Sequence, residues 1–118
     1  MKVLVCGSRT WTDTLPIRNR MTKLFLDAPV GSRPTVIHGG APGADVLAGH
    51  EARKLGMKVH VFPADWKKHG KRAGILRNLK MLEEEPDLVL AFWDGKSFGT
   101  AHTISVAKER NIPIEIIR

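Results

Sequence analysis

Short apolar runs alternate with stretches of helical periodicity from one end of the chain to the other, and few architectures accept that pattern. Strands are predicted at residues 2–6, 34–38, 58–62, 88–93 and 112–117. Helices are predicted from Asp13 to about Leu26, from about Gly43 to Leu55, from about Lys71 to Glu84, and from near Gly99 to just before Asn111. The punctuation agrees: Thr12 or Asp13 suits an N-cap, Pro16 is tolerated in a first turn, and Gly56 fits a C-cap. Strands interleaved with helices of this length form βαβ units, which build a mostly parallel sheet with helices on both faces. The expectation is a single three-layer α/β domain over residues 1–118, with a five-stranded parallel sheet of order 3-2-1-4-5. The 118 residues suffice for one modest core and leave no room for a second domain. Pro63 to Gly70 is the longest irregular stretch and a candidate functional loop.

Several function classes drop out early. No apolar stretch approaches the length of a membrane span, and Met1 to Cys6 reads as a strand rather than a signal peptide, so a cytoplasmic protein without membrane contact is expected. The lone Cys6 cannot form an internal disulfide and is expected to pack within its strand. The five histidines are scattered without ligand spacing, so no metal site is expected. Neither a GxSxG elbow nor an HExxH helix is present.

In an open parallel sheet, ligands bind beyond the carboxyl ends of the strands, at the point where strand order reverses. Those ends carry Gly7-Ser8-Arg9-Thr10-Trp11, then His38 to Asp45, then Pro63-Ala64-Asp65-Trp66, then Asp94 to Thr100. The glycine-rich turns and all three tryptophans therefore fall at one edge, which makes that edge the candidate site. Gly39, Gly40 and Gly43 sit between a strand and a helix, where close backbone approach and unpaired first-turn amides suit a phosphate. The turn is neither GxGxxG nor a GxxxxGK[ST] P-loop, and a plain strand–helix connection is the alternative.

Ser8 and Arg9 could bind phosphate through a hydroxyl and a guanidinium fork, with Arg9 otherwise an exposed loop charge. Asp65 and Asp94 could accept ribose hydroxyls or act as acid–base groups, or serve only as turn residues. Asp45 opens a helix, where a carboxylate is also simply stabilising. His38 could orient the glycine turn, titrate, or be structural. Trp11, Trp66 and Trp93 offer faces for a base, Trp93 being equally suited to the core. The net charge is +7, and six of the basic residues lie between Lys67 and Lys80 with no acid among them. That block would attract a phosphorylated ligand or a nucleic-acid backbone, or form a solvated face.

Five motifs in order carry a resemblance. They are Gly-Ser-Arg-x-Trp at 7–11, His-Gly-Gly-Ala-x-Gly-Ala-Asp at 38–45, Phe-Pro-Ala-Asp-Trp at 62–66, Ala-Gly-x-x-Arg-Asn-x-x-Met at 73–81, and Gly-x-Ser-x-Gly-Thr at 95–100. Over nearly its whole length the chain resembles the YspA-like branch of the SLOG superfamily, Rossmann-like relatives of the LOG phosphoribohydrolases and of the DNA-processing protein DprA. The resemblance implies a nucleotide or nucleotide-derived ligand, such as one related to NAD or ADP-ribose, and a bacterial or phage-infected cell. It also implies that this ligand is held over the glycine turn at 39–43 and the Gly99-Thr100 turn, and Arg77, Asn78, Asp94 and Ser97 are further candidate contacts. LOG enzymes carry Gly-Thr-x-x-Glu, whose glutamate assists cleavage of an N-glycosidic bond; Thr103 stands at that place here. Threonine cannot act as that carboxylate does.

The expected function is binding of a small phosphorylated nucleotide derivative. Two alternatives stand beside it: a nucleotide N-glycosidase using Asp94, Asp65 or Asp45, and nucleic-acid binding, at most weak and without sequence preference. A homodimer is also expected, through Ile75, Leu76, Leu79 and Leu82 of the third predicted helix.

Overall fold

Val3, Leu4 and Val5 are wholly buried, which requires cover on both faces of the first strand. The computed structural model describes residues 1–118 and supplies that cover. Strands β1 (Lys2–Gly7), β2 (Thr35–His38), β3 (Lys58–Val61), β4 (Leu88–Phe92) and β5 (Ile114–Ile117) form one sheet of order β3-β2-β1-β4-β5. Every neighbouring pair is parallel, with Val3 opposite Val36 on one side and Leu88 on the other. Helices α1 (Thr14–Asp27) and α2 (Ala44–Lys54) lie on one face, where Val3, Val5, Leu90 and Phe92 meet Ile17, Met21 and Ala48. Helices α4 (Ala73–Glu83) and α5 (Phe98–Glu109) lie on the other, against Leu4, Cys6, Ile37, Val89 and Ala91. The expected architecture and strand order are those observed. No helix is long and apolar enough to cross a membrane.

Local chemistry sets the boundaries. Asp13 caps α1 by accepting from the Leu15 amide at 3.2 Å. Gly56, at φ +85°, ends α2, and the Leu55, Gly56 and Met57 amides fold back onto its last carbonyls. β5 starts at Ile114 rather than at Ile112, because Pro113 has no amide to give the ladder. The stretch from Pro63 to Gly70 is not irregular throughout. It holds a short helix, α3 (Trp66–His69), and a 3₁₀ turn (Gly70–Arg72) follows, so the next helix begins at Ala73 and not at Lys71. Asp65 makes α3 by accepting from the Lys68 amide, a capping interaction without any apolar period to announce it. On α4, Leu82 is buried under the sheet while Leu76 and Leu79 remain half-buried.

Candidate functional site

The turns at the carboxyl edge are tied together by Ser8. Its amide donates to the Phe92 carbonyl, its carbonyl accepts from the Trp11 and Ala44 amides, and its hydroxyl accepts from the Asp94 amide at 2.9 Å. One buried serine thus fastens the loops after β1, β2 and β4. Gly7 and Gly43 let them close: a Cβ on Gly7 would collide with the Phe92 carbonyl, and one on Gly43 with the Ser8 and Arg9 carbonyls.

The glycine turn does not present a bare row of amides. The Gly39 amide donates to Asp45 Oδ2 at 2.9 Å, the Ala41 amide also hydrogen-bonds this carboxylate, and the Gly40 amide donates to His38 Nδ1 at 2.9 Å. The Gly39 amide is thus taken by an internal carboxylate and the Gly40 amide by an internal imidazole. Open amides lie instead at the start of α5, where the Ser97 side chain makes no cap and the dipole favours an anion.

That helix end forms one wall of a cavity of about 270 Å³. Arg77 faces it from α4, giving Nη1 to the Gly39 carbonyl at 2.5 Å and Nε to Asn78 Oδ1 at 2.9 Å. Nη2 makes no hydrogen bond within the protein and remains available. Gly74 keeps the approach clear, since its absent Cβ would lie 3.6 Å from the Trp66 ring and 3.9 Å from Arg77 Nη2. Trp66 is 51% exposed at the rim, with the Arg9 guanidinium 6.0 Å from its ring centre. A second hollow of about 310 Å³, between the glycine turn and Val61 to Ala64, shares Arg9, Ala41, Trp66 and Arg77 with the first.

Of the residues predicted from sequence, Gly7, Arg9, Asp45, Trp66, Arg77, Asn78, Ser97, Gly99 and Thr100 line the cavity together. Gly39 and Gly40 line the adjoining hollow. Trp11 and Gly43 belong to a separate groove with Pro42, Val46 and Leu47. Ser8 and His38 are buried and line neither hollow. Asp65 caps α3, and Asp94 accepts from the Lys96 and Ser97 amides in its own turn. Trp93 donates to the Ser97 carbonyl and packs on the core. The cavity also takes in Lys71, Gly74, Ile75, Phe98 and Thr103, which were not predicted as site residues. The signal for Phe98 was an apolar first residue in a helix, and it is 76% exposed. Thr103 lies one turn beyond Gly99 and gives its hydroxyl to the Gly99 carbonyl.

Electrostatics separate the titratable groups. Burial raises Asp45 to about 6, opposed by the Gly39 amide and by Arg77. Burial lowers His38 to about 4, helped by Arg53 and Arg77. Since Nδ1 accepts from Gly40, the His38 proton sits on Nε2, which is buried against Gly49 without a partner. Burial also lowers Arg77, against the opposing charge of Asp45, and it stays a cation. The Lys96 amide, then the Ser8 hydroxyl, hold Asp94 below the usual carboxylate range. Burial pushes the Cys6 thiol far up, so it is inert. No three His, Cys, Asp or Glu side chains converge as metal ligands.

The sequence profile of the YAcAr family (YspA, cpYpsA-related SLOG family) matches residues 1–69. The Gene 61 protein of Mycobacterium phage D29 is 39% identical over 118 residues, covering 96% of this chain and 93% of that protein. Among solved structures, DNA processing protein A (DprA) of Streptococcus pneumoniae superposes with a TM-score of 0.72 at 18% identity. That match covers 99% of this chain, which spans only about half (50%) of the DprA chain. The C-terminal domain of a Pyrococcus furiosus hydrogenase superposes with a TM-score of 0.55 at 20% identity, covering 99% of this chain and 91% of that domain.

Proposed function

The chain belongs to the YspA, cpYpsA-related SLOG family, and from that premise we propose that it binds a small phosphorylated nucleotide derivative, of the class that includes NAD and ADP-ribose. One observation carries the reading: the uncapped start of α5 and Arg77, whose Nη2 is free, line one cavity. Phosphate there meets helix amides and a guanidinium together, with Lys71 at the margin. The exposed ring of Trp66 gives a base its stacking face. The two connected hollows suit a ligand of that size.

A thermal-shift panel of NAD, ADP-ribose, AMP and cyclic nucleotides tests this, with stabilisation by at least one of them expected. No shift from any phosphorylated ligand at millimolar concentration would sink the reading. Arg77→Ala is expected to weaken anionic ligands by about 1.5–3 kcal/mol, measured by calorimetry. Arg77→Lys recovers only part of the loss, because the planar fork is gone.

A second reading, a nucleotide N-glycosidase, is favoured by Asp45, a buried carboxylate in the cavity with a pKa of about 6. Chromatography of nucleoside monophosphates incubated with the protein would then show free base, lost in Asp45→Asn. The shared fold with a DNA processing protein motivates a nucleic-acid assay as well. Binding to single strands is expected to be weak and to collapse with added salt. Leu76 and Leu79, half-buried on α4, extend the proposal to a homodimer, which sedimentation at high micromolar concentration tests.

A further inference from the structure

The charged groups lining the cavity are all hydrogen-bond donors, with one exception. Arg9, Lys71, Arg77 and the first amides of α5 all offer hydrogens. Asp45 is the sole carboxylate among the lining residues, and it is 5% exposed. Two carboxylate oxygens provide about four acceptor positions. The Gly39 and Ala41 amides take two of them, and no side chain takes the others. A ligand atom meeting the free oxygens of the ionised carboxylate must therefore bring a hydrogen, which excludes phosphate from that spot and admits a hydroxyl or an amine.

The other two parts of a nucleotide already have places. Phosphate belongs with Arg77 and the start of α5, and the flat base belongs at the rim, where Trp66 stands clear of the core. The sugar joins base to phosphate, so it is the part left to meet Asp45, which lines the same cavity. We propose that Asp45 is the sugar-reading residue of the site, accepting hydrogen bonds from the vicinal hydroxyls of ribose, so that ribonucleotides are taken in preference to deoxyribonucleotides. The inference rests on the nucleotide reading above. The groups facing Asp45 are Cys6 on β1, Arg9 after β1, Arg77 on α4 and Thr103 on α5, with His38 behind the glycine turn. Of the groups here that burial shifts, only Asp45 is set to change charge between pH 5 and 7: the thiol is pushed up, His38 is held down to about 4, and Arg77 stays cationic.

The test compares AMP with 2′-deoxy-AMP and 3′-deoxy-AMP by calorimetry, on the wild-type protein and on Asp45→Asn. Asparagine keeps an acceptor for the Gly39 amide but loses the charge and half the acceptor capacity. In the wild type, AMP is expected to bind about 10- to 100-fold more tightly than either deoxy analogue. Asp45→Asn is expected to compress that ratio to about 3-fold or less. At pH 6, AMP is expected to release up to about half a proton more than the deoxy analogues, because accepting the diol holds Asp45 ionised. A merely structural Asp45 would not move that difference. Equal wild-type affinity for all three nucleotides overturns the sugar assignment while leaving nucleotide binding intact. So does a preference that follows the 6-amino group of the base, read by comparing AMP with IMP. If none of the three binds, the nucleotide reading falls and takes this assignment with it.

Discussion

Asp45→Asn is expected to abolish a loss of about 3 kcal/mol that the Asp45 charge imposes as pH rises from 4 to above 6, although it removes a charge from the centre of the candidate site. The folded chain raises Asp45 from 3.8 to about 6, so the native state holds that proton more tightly than the unfolded chain does. Stability from this group is complete below pH 4 and is lost as pH rises to about 6, some 2 units at about 1.4 kcal/mol each. His38 runs the other way. Its pKa falls from 6.5 to about 4, so its contribution is complete above pH 6.5 and is lost as pH falls toward 4, again by about 3 kcal/mol. The two slopes oppose each other over nearly one window, and wild-type stability is expected to vary little there. Single variants expose them. Urea titrations between pH 4 and 7 should show Asp45→Asn gaining stability as pH rises and His38→Asn losing it. A curve for Asp45→Asn parallel to the wild type would show that burial costs this carboxylate nothing. A site residue retained at such a cost fits a binding role better than a structural one.

Gly43→Ala is expected to lower stability by more than about 3 kcal/mol, seen as a fall in melting temperature of at least 10 °C or so. Two penalties coincide there. Gly43 sits at φ +81° and ψ −126°, a region closed to side-chain-bearing residues, and an added Cβ would strike the Ser8 and Arg9 carbonyls. Backbone cannot yield as a flexible side chain can. Gly31→Ala is the matched control: φ is +87° but nothing lies within 4 Å, so only about 1 kcal/mol of backbone strain is expected. Equal losses in the two variants would mean that the close approach of the two loops contributes nothing.

The sheet was legible because each strand is a short apolar run separated from the next by a helical period, and order 3-2-1-4-5 follows from crossovers of one hand. The edge of the sheet that bears the cavity was legible for the same reason. The roles of individual polar residues were not. Asp45, Asp65 and Asp94 look alike in sequence, each next to a turn. Only folding shows that all three accept from nearby amides, and that Asp45 alone does so buried in the cavity with Arg77. The turn Gly39 to Gly43 promised amides to a ligand, but their acceptors were Asp45, from the helix that follows, and the His38 ring. No periodicity reports such a local bond. Helix α3 escaped for a related reason, because a single cap creates it.

Helix α3 and the 3₁₀ turn after it bury none of their residues, yet they bring Trp66 and Lys71 to the cavity. Substitutions there face little selection for foldedness, whereas Gly7, Ser8 and Gly43 are bound by it. Change in ligand preference can therefore accumulate between residues 66 and 72 at almost no risk to the domain. The rim of the candidate site is thus separable from the fold that carries it.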